Sequence, residues 1–122
     1  MREEIELYLK RAKKFEENAK FNFERKDYDI AMFHIEQAMQ LIIKAKLLDE
    51  KGYFERTHSL RKLLHELKND EVKKFVEKYE KVLRDLERAY ITSRYYFEEF
   101  FEDEVLRAFE ALREIRAILW KE

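Results

Sequence analysis

A single glycine, Gly52, and no proline are all that punctuate 122 residues. Glycine and proline are the strongest local breakers of regular structure, and a multi-stranded β fold needs a turn signal every ten residues or so. A chain this poor in them reads as all-α. Its length suits one domain over residues 1–122, and a chain of this size buries roughly two-thirds of the surface its unfolded form exposes. That is enough for a core without disulfides or metals, and the sequence has no cysteine to supply either.

Charge is close to balance, 26 Lys and Arg against 27 Asp and Glu. Attraction to nucleic acid or to an acidic membrane would therefore have to be local. The opening MREEIELYLKR is too charged for a signal peptide. No apolar run approaches the ~20 residues that cross a bilayer, so the expectation is a cytoplasmic protein without a membrane partner. Gln, Asn, Ser and Thr are scarce beside abundant Glu and Lys, a thermophile-like bias.

Helical periodicity accounts for nearly the whole chain. Ile5, Tyr8, Ala12, Phe15, Ala19 and Phe23 recur at three- and four-residue steps and predict a helix from about residue 2 to 24. Arg25-Lys26-Asp27 breaks that stripe, and Asp27 is positioned as the N-cap of a second helix running to about Lys51. The stripe of the second helix is Ala31, Ile35, Ala38, Ile42 and Ala45, whose small alanines permit close approach of a neighbour. Gly52 suits its left-handed stop. Thr57 or Ser59 caps a short third helix through Leu60, Leu63, Leu64 and Leu67. Asn69-Asp70 starts a fourth that carries Val72, Phe75, Val76, Tyr79, Val82, Leu83, Leu86 and Tyr90. The pattern degrades in ITSRYYFEEFF, and a last helix from about Asp103 to Trp120 buries Val105, Ala108, Leu112, Ile115 and Leu119. Long helices joined by short connections imply an up-and-down bundle of four long helices plus one short helix.

One Trp, seven Tyr and ten Phe are more rings than a small bundle core ordinarily holds. Some are expected to leave the core for a partner surface, which favours self-association. The competing reading places them all inside.

Three clusters bear chemistry. On a helical wheel His34, Gln37 and Lys44 share a sector beside the core stripe of the second helix. They either line a crevice as ligand groups or bond to neighbouring helices while Lys44 reaches solvent. Arg56, His58, Arg61, Lys62 and His65 gather at the start of the short helix, as a phosphate contact or as a solvated basic face. Tyr90, Ser93, Arg94, Tyr95 and Tyr96 form an aromatic and basic turn that would stack a base and hold a phosphate, or would pack the end of the bundle.

Other machinery is missing from the sequence. It holds no glycine-rich phosphate loop and no His-Glu-x-x-His motif, and three histidines without clustered partners make a metal site unexpected, so neither metal nor cofactor is assigned. Adjacent His58 and Ser59 point about 100° apart on a helix and are no nucleophile and base pair.

The stretch YDIAMFHIEQAMQLIIKAKLLDEKGYFERTHSLRKLLHEL, followed by AYITSRYY, resembles the HEPN domain, the nucleotide-binding helical module of higher eukaryotes and prokaryotes. The parts that carry the resemblance are Tyr28, Ala31, His34, Gln37, Ala38, Lys44, the Thr57-His58-Ser59-Leu60 turn and Ser93-Arg94-Tyr95. It implies a bundle that is usually a homodimer and is often paired with a minimal nucleotidyltransferase partner as toxin and antitoxin.

Many members of that family are metal-independent ribonucleases with an arginine, four to six residues, then a histidine. Counting from Arg94, those positions hold Glu99, Phe100 and Phe101. A carboxylate is a poor base near pH 7 unless burial raises its pKa. The leading expectation is therefore a non-enzymatic module that dimerises and binds a nucleotide or a minimal nucleotidyltransferase partner, with RNA as a further candidate ligand, through His34, Gln37, Lys44, His58, Arg61, Arg94 and Tyr95, with Tyr90 as a second stacking ring. The first alternative is a ribonuclease toxin using a non-standard histidine, with His58 and Arg94 as its catalytic candidates. The second is a structural bundle that presents Phe97, Phe100 and Phe101 to another protein.

Overall fold

A computed structural model describes residues 2–95 and 99–120, the side chains of 93–95 excepted. Among these residues six helices follow one another: α1 Arg2–Glu24, α2 Tyr28–Lys51, α3 Leu60–His65, α4 Asp70–Lys78, α5 Glu80–Tyr95 and α6 Glu102–Leu119. No strand occurs among the described residues.

The α1–α2 hairpin is closed by a turn that the sequence disguises. Lys26 takes the left-handed conformation, with φ 65°. Its N–H bonds back to the Phe23 carbonyl at 3.0 Å, and the Asp27 N–H reaches the Asn22 carbonyl at 2.9 Å. These two bonds are the Schellman pattern of a helix end, here without the usual glycine. Asp27 stands at the N-cap position of α2, but its side chain makes no capping bond. It pairs instead with Arg25 at 3.5 Å.

The other signals act locally. Gly52 ends α2 at φ 82°, with its N–H on the Leu48 carbonyl. The Ser59 hydroxyl accepts the Lys62 N–H at 3.3 Å, and Asn69 Oδ1 accepts those of Glu71 and Val72. At the start of α6 the Glu104 carboxylate accepts the Phe101 N–H at 2.8 Å. Each bond satisfies a donor or acceptor that a helix end would leave open.

The helix expected from Asp70 through Tyr90 is divided. Tyr79 leaves helical geometry at φ −112°, ψ 24°, and α5 begins beyond it. Its side chain is fully buried against Phe75, beneath the Arg107 guanidinium and bonded to the Glu114 carboxylate. The break thus falls where the ring is held from two other directions.

α2 runs through the middle. The expected stripe of Ala31, Ile35, Ala38, Ile42 and Ala45 is buried, and so is a second one of Met32, Glu36, Met39, Ile43 and Leu47. α1 covers one flank of α2, its Ala12 and Ala19 buried like the alanines of α2, so the two backbones approach closely. α5 and α6 cover other flanks. The Tyr8–Phe54 contact sets the start of α1 beside the end of α2. Phe33 against Tyr90 sets the end of α5 beside the start of α2. The Trp120 indole N–H donates to the Ile42 carbonyl at 3.1 Å and pins the end of α6 to the middle of α2. The long helices therefore alternate in direction.

Candidate functional site

The face of α2 turned toward the start of α3 and toward α5 carries a polar seam inside an otherwise apolar core. At its centre is Glu36, a carboxylate wholly out of water. Both oxygens are occupied: Gln37 Nε2 donates to Oε1 at 2.7 Å and Gln40 Nε2 to Oε2 at 2.6 Å. Burial, with a weaker push from the Glu87 charge, raises its pKa from the ordinary carboxyl range to about 7 despite the two amides and the Lys44 charge.

Lys44 lies two turns beyond Glu36 on the same side of α2. It is half-buried, its ammonium stands 5.1 Å over the Phe54 ring, and burial lowers its pKa while the Glu36 charge partly restores it. Among the described residues Lys44 forms no hydrogen bond and no ion pair. By contrast, Glu87 is paired with Arg61 at 3.0 Å, and Asp85 with Lys81 and Arg88 at 3.0 and 3.2 Å.

The basic turn at α3 is arranged around Glu87 of α5. That carboxylate accepts the Ser59 hydroxyl at 3.2 Å, the Arg61 backbone N–H at 3.1 Å, and two guanidinium donors of Arg61 at 3.3 and 3.0 Å. His58, exposed on its outer side, stacks on Tyr90 with ring centres 4.4 Å apart and shares a 3.1 Å hydrogen bond with its hydroxyl. Tyr90 in turn stacks on Phe33 of α2. Being 7% exposed, Tyr90 has its face covered and is not an open stacking platform.

The residues singled out from the sequence are thus partly assembled. Gln37 bonds to Glu36, Lys44 acts on the same carboxylate through its charge alone, and Arg61 binds Glu87, whose charge also reaches Glu36. His58 sits beside it on Tyr90. His34 goes elsewhere: its Nδ1 donates to Asn22 Oδ1 of α1 at 2.7 Å, its ring lies against Phe15 and Phe33, and burial lowers its pKa. Arg94 and Tyr95 close α5, and their side chains lie outside the described residues, as do Tyr96 and Phe97. Phe100, expected on a partner-facing surface, is 3% exposed, with the Arg88 guanidinium 5.3 Å over its ring, whereas Phe101 is 64% exposed. The sequence reading overlooked Glu36, Gln40 and Glu87. For Glu36 a signal existed, because Met32, Met39 and Ile43 at −4, +3 and +7 place it on an apolar stripe.

Two hollows open elsewhere. One of about 470 Å³ lies between α3 and α4, with Leu64, Val72 and Val76 as its floor and Arg61, His65, Lys68 and Lys73 on its rim. The other, about 310 Å³, lies beside Lys46, Leu67 and Trp120. Neither includes Gln37 or Lys44, each of which is half-buried. Among the described residues no group of His, Asp or Glu gathers to hold a metal ion, and no helix is long and apolar enough to cross a membrane.

Comparison with curated proteins and with solved structures finds no match. The family model of the HEPN domain matches residues 5–122, which is nearly the whole sequence. With a match over nearly its whole length and an all-helical fold among the described residues, the chain belongs to the HEPN domain family.

Proposed function

We propose that this chain is a non-enzymatic HEPN module that dimerises and binds a nucleotide, or a minimal nucleotidyltransferase partner, in a toxin–antitoxin-like pair. The observation that carries the reading is Lys44, an ammonium drawn half into the bundle beside an amide-bound carboxylate and left without an ion-pair partner among the described residues. A cation desolvated in this way gains from an added anion, and such groups cluster at binding sites. Gln37 adds an amide at the same seam, and His58 an imidazole at its edge. Arg94 and Tyr95 enter on the family resemblance alone, as a second cation and a stacking ring. Gln37 and Lys44 are only half-buried, which leaves a side that a second copy or a partner would cover.

Calorimetric titration with ATP and with mononucleotides tests it. Heat of binding that is lost in Lys44→Ala and Gln37→Ala, with melting temperatures unchanged, supports the reading. No heat with any nucleotide, and none with a co-encoded nucleotidyltransferase, rejects it.

One observation favours a ribonuclease as the second reading. The His58 imidazole rests on Tyr90, and position 94 follows Tyr90 by one turn of α5. Metal-free cleavage of RNA that disappears in His58→Ala, in a protein that still folds, would establish it over the first.

A further inference from the structure

The seam contains a titratable group that the binding reading leaves unused. Glu36 is fully buried and makes no ion pair among the described residues, and its only direct partners are the two amides of Gln37 and Gln40. The charges that act on it are few. Lys44 of α2 favours its ionised form, and Glu87 of α5 opposes it, weakened by the Arg61 guanidinium from α3 that Glu87 itself binds. No charge from α1, α4 or α6 moves it appreciably. Ionised Glu36 therefore leans on Lys44, the same cation that a bound anion would claim.

We propose that the site takes up a proton together with its anionic ligand, and that Glu36 is the group that receives it. The inference rests on the binding reading above and adds its regulation. A phosphate settling on Lys44 withdraws the ammonium's support and adds negative charge on the same side of α2. The carboxylate then takes a proton from solvent, Glu36–COO⁻ plus H⁺ giving Glu36–COOH. The neutral acid stays hydrogen-bonded if the Gln37 or Gln40 amide turns its oxygen to accept the new O–H, because glutamine offers donor and acceptor at one end. Burial has already brought the carboxyl to about 7, so both forms are populated where exchange matters. Linkage then requires the ligand to bind more tightly as pH falls, by up to about tenfold per unit above pH 7.

The experiment is calorimetric titration of ATP into the wild-type protein and into Glu36→Gln, at pH 6, 7 and 8, in two buffers of different ionisation enthalpy. Wild type is expected to absorb roughly half a proton per site at pH 7 and more at pH 8 beyond what Glu36→Gln absorbs. The variant should show only the pH dependence of ATP itself and of the histidines. Binding by both proteins with equal proton uptake and equal pH dependence overturns the proposal while leaving the binding reading intact. Absence of binding by wild type at every pH overturns both. If Glu36→Gln does not fold, the Glu36 carboxyl resonance of wild type, followed against pH with and without ATP, reads the same quantity: an unmoved midpoint rejects the coupling.

Discussion

Glu87 and Arg61, 26 positions apart, meet through three contacts: the carboxylate takes the backbone N–H of Arg61 and two donors of its guanidinium. With the Ser59 hydroxyl as a fourth donor, one side chain of α5 fixes the beginning of α3. An anion at this turn is thus supplied from within the fold. A planar fork with parallel N–H groups suits a carboxylate as it suits a phosphate, so Arg61 already holds an anion within the fold. Arg61 is held on Glu87 while His58 turns to Tyr90.

Removing that carboxylate should be costly for its size. Glu87→Ala leaves a helix-end N–H, a hydroxyl and a guanidinium without their partner, and an unmatched, partly buried polar group costs about 1–3 kcal/mol. The guanidinium is 40% exposed and recovers water, which puts the expected loss near the middle of that range. Glu87→Gln retains part of the hydrogen bonding and should lose less. Urea denaturation measures both, and a Glu87→Ala protein as stable as wild type would contradict the structural role.

Glu36 makes stability depend on pH in an unusual direction. Its pKa is about 7 in the folded chain, against an ordinary carboxyl value near 4.5 when unfolded. The folded state holds the proton more tightly, so the contribution is fully present below about pH 4.5 and is lost as pH rises through 7. The span corresponds to roughly 3 kcal/mol if the unfolded carboxyl is unperturbed. Glu36→Gln should be more stable than wild type at pH 8 and close to it at pH 5. Melting temperatures of the two proteins across that range are the check, and parallel curves would rule out a raised pKa.

How much of this was legible in the sequence depends on whether the signal was local. Gly52, Ser59 and Asn69 act through their own backbone or side chain within a few residues, and each was readable. The division at Tyr79 was not, because Val76, Tyr79, Val82 and Leu83 keep helical spacing across it and the ring is held by α6. His34 was read with Gln37 and Lys44 because the wheel places them in one sector. The partner that decides its orientation, Asn22, belongs to another helix. Glu36 was missed for a general reason: ionisable side chains are almost never fully buried, so a glutamate between apolar turns is assigned to solvent. The candidate site was therefore half visible, its half-buried amide and ammonium legible and the carboxylate beside them hidden.

The α1–α2 turn offers a stabilising substitution. Lys26 holds φ 65° with a Cβ, where glycine carries no steric penalty. An L-residue in that conformation costs roughly 1–2 kcal/mol, and the Schellman bonds keep the position there regardless. Lys26 is exposed, so its side chain contributes little packing. Lys26→Gly should raise stability by about 1 kcal/mol, offset in part by the greater freedom of glycine in the unfolded chain. A lowered melting temperature would mean that the left-handed turn is not retained in solution.

Phe100 and Phe101 are neighbours with opposite exposure, 3% and 64%, and their truncations should separate folding from association. Phe100 belongs to the main core and lies beneath Arg88. Phe100→Ala should cost about 3–5 kcal/mol, the range for a phenylalanine lost from a packed interior. Phe101 bonds to α6 through its backbone, its N–H to the Glu104 carboxylate and its carbonyl to the N–H groups of Glu104 and Val105, all bonds that alanine keeps, so Phe101→Ala should change stability by no more than about 0.5 kcal/mol. Its ring is one of the large apolar groups left in water, with Ile91 near the end of α5 and Leu106 in the first turns of α6. If the chain pairs through that end of the bundle, Phe101→Ala weakens the dimer without loosening the monomer. Sedimentation equilibrium alongside denaturation distinguishes the two effects. A Phe101→Ala protein with the association constant of wild type would remove this end of the bundle from the interface.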